Sequence, residues 1–197
     1  NLDFLYAVVR KIYDVLLRTE EFMLYNYGDK YTPLLPEDIY IVTSQELEDR
    51  WPDLLPSARE ERITREKKAV FISQIGKTLT SGNPHDGRAP DYDDWELNGD
   101  IILWHPVLDR AMELSSMGIR VDAETLDKQL TLSGHDARRE LPFHQAVLNN
   151  EMPLTIGGGI GQSRLCLLLM GKAHIGEVQV STWDDETIDT CQDAGII

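Results

Sequence analysis

The 197-residue chain reads as an α+β protein, with an antiparallel β-sheet core flanked by helices. Three observations predict this. Short apolar runs of strand length alternate irregularly with helical patterns. Several successive strands have no crossover helix between them, which disfavours a doubly wound sheet. The composition, 42% hydrophobic and 27% charged with 14 Gly and 9 Pro, is that of a globular domain large enough to bury a core. We therefore expect residues 1–197 to form one domain.

The first element is a helix. Leu2, Leu5, Tyr6, Val9, Ile12, Tyr13 and Leu16 recur at helical spacing, and Gly28 would end it. Ile39 to Val42 reads as a short strand leading into Thr43-Ser44-Gln45-Glu46, a Thr-x-x-Glu capping box that starts a second helix. Ser57-Ala58-Arg59-Glu60 repeats that signal for a charged helix to about Lys67. Val70 to Ile72 reads as a strand, and Gly76 as a turn before another strand around Thr78 to Thr80. Residues Gly82 to Gly99, rich in Gly, Pro, Asp and Asn, read as a functional loop. Strands follow at Asp100 to Trp104 and Met112 to Val121, then helices at Ala123 to Leu132 and Arg138 to Leu148. Leu154 to Ile156 reads as a strand running into Gly157-Gly158-Gly159, and Gln162 to Met170 as an apolar helix.

There are 34 acidic and 19 basic residues, a formal net charge of −15. That balance disfavours nucleic acid and anionic membranes as partners, because phosphates are contacted mainly by clustered Lys and Arg. The longest apolar run, Leu165 to Met170, is too short to span a bilayer, and no basic-then-apolar leader opens the chain. Two cysteines, Cys166 and Cys191, lack metal-ligand spacing; one disulfide is compatible with them, and a reducing cytoplasmic setting is the simpler expectation. His85, His105, His135, His144 and His174 form no zinc pattern, and Ser115-Ser116 has no Gly-x-Ser-x-Gly frame.

Three segments carry chemistry. In Thr155 to Arg164 a strand meets glycines that let a ligand approach the backbone, and a helix N-terminus follows, with Arg164 one turn in and able to grip a phosphate. It lacks the Gly-Lys-Ser/Thr of a Walker loop and the dinucleotide spacing, and a turn that only packs strand on helix is the alternative. In Asp91-Tyr92-Asp93-Asp94-Trp95, preceded by Asp86 and Arg88, three close carboxylates call for a cation or for full solvation. EF-hand spacing fails there. In the third segment, Asp100 and Glu113 on neighbouring strands can hold Mg²⁺ against nucleotide phosphates. Alternation puts Glu113 and Ser115 on one face and Leu114 and Ser116 on the other. Arg120 can bind a carboxylate in a bidentate way; a buried Glu113–Arg120 pair tying two strands together is the alternative.

Four segments in order, Arg88 to Trp95, Leu97 to Asp100, Glu113 to Val121 and Ile156 to Arg164, closely resemble ammonia-dependent asparagine synthetase, the aspartate–ammonia ligase family. The resemblance implies a class II aminoacyl-tRNA synthetase-like catalytic domain working as a homodimer. It implies the conversion of aspartate, ATP and ammonia to asparagine, AMP and pyrophosphate through a β-aspartyl-adenylate. It implies that Arg164 holds the nucleotide, that Gly159 lets adenine or ribose lie on the backbone, and that Asp100, Glu113 and Ser115 contact AMP or Mg²⁺. Asp93, Ser116 and Arg120 would bind aspartate or ammonium, with Asp93, Arg120 and Arg164 as the catalytic set. The chain opens on Asn1, part-way along the family's length, so the resemblance also implies an upstream part carrying a dimer helix and a second phosphate-binding arginine. Trp95 is followed at once by Glu96-Leu97-Asn98, where the family has a longer loop. Two other readings stand beside this one: an aspartyl- or asparaginyl-tRNA synthetase fragment, which the acidic charge disfavours, and an inactive binding or regulatory paralogue on the same scaffold.

Overall fold

The computed structural model describes residues 1–28 and 31–196. Its centre is a five-stranded sheet in the order β1 (Tyr40–Thr43), β2 (Ala69–Ser73), β3 (Asp93–His105), β4 (Arg110–Arg120) and β5 (Ile156–Ile160). β2 to β5 pair antiparallel, as expected, and β1 joins β2 in parallel. The parallel pair is possible because two helices, α2 (Ser44–Arg50) and α3 (Pro56–Lys67), form the crossover between its strands.

One face of the sheet is sealed by α1 (Leu2–Tyr27). Leu5, Val9, Tyr13 and Leu16, three or four residues apart, pack on Phe71, Ile101, Leu103, Leu114 and Met117. Complete burial of side chains such as Phe71, Ile101 and Leu103 contributes about 1.5–3 kcal/mol each. Asn1 caps α1 by accepting from the Phe4 N–H at 3.0 Å. Further along α1, the buried Glu20 carboxylate accepts from Leu34 N–H at 2.7 Å and from the Tyr31 hydroxyl at 3.0 Å, fastening the segment before β1. On the opposite face α2 and α3 cover Val70, Ile72 and Ile102. α4 (Ala123–Leu132) and α5 (Pro142–Leu148) form a separate small core around Leu126, Leu130 and Val147. Beyond β5 come α6 (Gln162–Leu169) and α7 (Asp185–Asp193); the sequence reading had no element at α7, which starts on an Asp184 N-cap.

Several expected boundaries shift for physical reasons. The Thr43–Glu46 capping box forms with both bonds, 3.1 and 2.8 Å. Ser57 does not cap α3: Pro56 takes the first helical position, where its missing N–H costs nothing, and Leu55 stands at the N-cap. Thr78 to Thr80 is not a strand and makes one isolated bridge to Pro84. The helix expected over Arg138 to Leu148 breaks at Leu141-Pro142 into a 3₁₀ turn (Asp136–Glu140) and α5. β3 begins at Asp93, inside the expected loop. The glycines after Ile156 are themselves the strand β5, not the turn beyond it. Cys166 and Cys191 are both free. No helix among the described residues is long and apolar enough to cross a membrane.

Candidate functional site

The site lies on the sheet face left open beyond Ile102. Its floor depends on a β-bulge. Asp100 pairs with Ser116 and Ile101 with Ser115, but Ile102 pairs with Glu113, so Leu114 is an extra residue in β4. The strict alternation expected for this strand therefore fails. Glu113 shares the open face with Asp100 and lines one 420 Å³ cavity with it. Ser115 points to the other face, beside Val8 and Ile12 of α1, where its buried hydroxyl has no partner. Ser116, expected opposite Glu113, lies on the open face and accepts from Arg88 Nη1 at 3.2 Å.

Asp100 is buried, and one of its oxygens pairs with Arg88. Its other oxygen, Oδ1, has no partner. Burial pushes the carboxyl up to about 6, against the pull of Arg88 and Ser116, and the charge of Glu113 adds to the rise. Arg164, in the first turn of α6, donates to the Glu113 carbonyl oxygen at 2.7 Å and stands 3.8 Å from the Glu113 carboxylate. Glu113 thus stands beside Arg164, and the alternative of a buried Glu113–Arg120 pair does not form, since Arg120 pairs with Asp93.

Arg120 pairs with Asp93: Nη1 donates to Oδ1 at 2.6 Å, and the Asp93 side chain is almost wholly buried. Burial raises the Asp93 carboxyl above its ordinary value although Arg120 opposes this. Two glycines make room. A Cβ at Gly118 would stand 2.8 Å from the Asp93 carboxyl carbon, and one at Gly157 would stand 2.7 Å from Arg120 Nε. Arg120 also lies 5.2 Å over the Tyr92 ring. Gln129 of α4 clamps the strand entrance, donating to the Pro90 and Asp93 carbonyls at 2.9 and 3.0 Å and accepting from Trp95 N–H at 2.8 Å.

The three close carboxylates of the loop go separate ways and do not share a cation. Asp91 accepts from Arg138 at 2.7 Å and lies 3.1 Å from His144 Nε2. Asp94 accepts from the Glu96 N–H at 2.8 Å. Of the three, only Asp93 pairs with Arg120 on the open face. Among the described residues no group of three or more His, Cys, Asp or Glu side chains is arranged to hold a metal. A divalent cation would rest on Asp100 and Glu113 alone. Those two fit one that also binds phosphate: both are hard oxygen donors lining the same cavity, and Asp100 Oδ1 is a buried acceptor without a donor.

Gly159 pairs with Ser116 in the β4–β5 ladder, with open space where a Cβ would be. The structure brings Asp93, Asp100, Glu113, Ser116, Arg120, Gly159 and Arg164 to the open face and its rim, and leaves Ser115 behind the sheet. Arg88, which the sequence places beside the acidic run without a role, is the cation on Asp100. A lone arginine in an acidic loop beside unpaired carboxylates was the available signal.

A family model described as aspartate-ammonia ligase matches residues 1–195. An aspartate–ammonia ligase of Clostridium tetani is 56% identical over 198 residues, covering 100% of this chain and 57% of that protein. One of Lactobacillus johnsonii is 54% identical over 198 residues, covering 100% of this chain and 58% of that protein. The chain thus spans less than two thirds of the length of these curated relatives. Among solved structures, aspartyl tRNA synthetase from Entamoeba histolytica superposes with a TM-score of 0.63 at 17% identity, covering 94% of this chain and 41% of that one. Asparaginyl-tRNA synthetase from Pyrococcus horikoshii gives 0.58 at 17% identity, covering 88% and 43%. At such identities the likeness is one of fold, that of class II aminoacyl-tRNA synthetases.

Proposed function

The chain belongs to the aspartate–ammonia ligase family, and on that premise we propose that it is the C-terminal part of a catalytic domain that makes L-asparagine from L-aspartate, ammonia and ATP, releasing AMP and pyrophosphate. The observation that carries this reading is a division of the open face. An Arg120–Asp93 pair suited to an amino acid lies across Ser116 and Gly118 from the Asp100, Glu113 and Arg164 group suited to a nucleotide.

In this reading the Arg120 fork binds the α-carboxylate of aspartate, while Asp93 and Ser116 take its ammonium or the incoming nitrogen. The β-carboxylate oxygen attacks the α-phosphorus, forming a C–O–P bond as the bond to pyrophosphate breaks. Ammonia then attacks the acyl carbon, and AMP leaves with the C–O bonding pair. Ammonium must lose a proton before it attacks, and Asp93, whose carboxyl is raised by burial, is the acceptor within the site. Arg164 neutralises phosphate charge, and bare Gly159 leaves the backbone free for adenine or ribose. Asp100 and Glu113 would hold Mg²⁺, which supplies further charge neutralisation when bound. A homodimer in the cytoplasm is part of the same reading.

Aspartate-dependent ATP–pyrophosphate exchange, followed by ammonia-dependent release of asparagine, tests it. Exchange with asparagine formation is the expected result. Exchange that leads instead to aminoacylation of radiolabelled tRNA would favour the synthetase alternative, and no heat on titrating ATP with Mg²⁺ would favour the inactive one.

A further inference from the structure

Arg88 and Asp100 form a buried pair that is left unfinished on both sides. The Arg88 side chain is 13% exposed and that of Asp100 7%. The guanidinium reaches Asp100, Ser116 Oγ at 3.2 Å and Asp86 at 3.6 Å, yet its Nε–H is buried without an acceptor. Asp100 Oδ1 is buried without a donor. Leaving a buried polar atom unpaired costs about 1–3 kcal/mol, so two such atoms flanking one ion pair favour a ligand that supplies both missing partners. Their signs are opposite. The spare donor suits an anion and the spare acceptor suits a cation, which together match a metal–phosphate unit.

Asp100 also lines a cavity of strongly acidic character. It is lined by Glu60, Asp86, Asp100 and Glu113, and His85 is its single basic side chain. A polyphosphate cannot enter such a place unless fixed cations come with it or stand ready. Arg88 is the fixed cation nearest Asp100, and the loop carrying it is anchored: His85 Nε2 lies 2.9 Å from Glu60 of α3, and Asp86 N–H donates to the Ile75 carbonyl at 3.2 Å.

We propose that Arg88 is a phosphate-binding residue that holds Asp100 only while the nucleotide is absent, exchanging the carboxylate for a phosphate oxygen as the metal–nucleotide takes its place. The inference rests on the functional reading above. While the pair is closed, the guanidinium charge beside Asp100 opposes a bare divalent cation; once Arg88 turns to phosphate, its fork and its unpaired Nε find acceptors. The resting pair thus keeps a buried carboxylate neutralised and keeps free metal out.

Two binding measurements on the full chain test this without turnover: Mn²⁺ alone by electron paramagnetic resonance, and Mg²⁺ with ATP by calorimetry. In Arg88→Gln, Mn²⁺ binding should tighten several-fold and ATP binding should weaken by roughly tenfold, the loss of one charge-assisted contact. Arg88→Lys keeps the charge without the fork, so its Mn²⁺ affinity should stay near wild type while ATP binding still weakens. A residue that only braces the loop would weaken both ligands in both variants, and that result, or no change in either, overturns the proposal. Wild-type protein that binds ATP while both variants bind it equally well overturns this inference alone. Wild-type protein that binds neither ligand overturns the functional reading and this inference with it.

Discussion

Gly157 lies directly against the Arg120 guanidinium: a Cβ there would stand 2.7 Å from Nε and 2.8 Å from Cζ. The position is glycine because the neighbouring strand delivers an arginine across it, not because the backbone needs an unusual conformation.

Gly157→Ala should therefore push Arg120 off its Asp93 partner without unfolding the sheet, since the obstructing atoms are the far end of a flexible side chain. Misplacing a carboxylate clamp costs on the order of tenfold or more. We expect the KM for aspartate in pyrophosphate exchange to rise by at least about tenfold, with the Tm within a few degrees of wild type.

Arg120→Lys keeps the charge and loses the planar fork. Aspartate-dependent exchange should be abolished, while ATP binding by calorimetry stays near wild type because Arg164 and Asp100 are untouched. Exchange close to wild type would remove Arg120 from the aspartate site.

Ser115 and Ser116 are adjacent in sequence and on opposite faces of the sheet. Ser115→Ala removes a buried hydroxyl that has no partner, so stability should hold or rise by up to about 1 kcal/mol, with ATP and aspartate affinities unchanged. Ser116→Ala deprives Arg88 of an acceptor and should weaken binding several-fold. The reverse order, Ser115→Ala weakening binding and Ser116→Ala leaving it unchanged, would contradict the bulge at Leu114.

Asp91 ties the loop to α5 and the preceding turn through Arg138 and His144. Burial works against its ionised form, but the hydrogen bonds from Arg138 and His144 prevail and hold the carboxyl below its ordinary value. A depressed carboxyl pKa contributes stability above the unfolded value of about 4 that is lost as pH falls through the folded one. Asp91→Asn should thus cost about 1–2 kcal/mol at pH 7 in denaturant unfolding. The gap between variant and wild type should close as the pH is lowered through and below about 4.

What could be read along the chain were features with local causes. The apolar spacing of α1 follows from helical period alone, and the Thr43–Glu46 box from two side chains three residues apart. The family resemblance also singled out Asp93, Asp100, Glu113, Ser116, Arg120, Gly159 and Arg164, which the fold gathers on or beside one face. Tertiary structure alone decided the pairings. The inserted Leu114 reverses the face of Ser115 because a bulge breaks the period of two that sequence patterning assumes. Arg88 meets Asp100, Arg164 meets Glu113, and Asp91 leaves its neighbours for Arg138. Each is a contact between elements distant along the chain, fixed by sheet register and loop anchoring that no local pattern encodes.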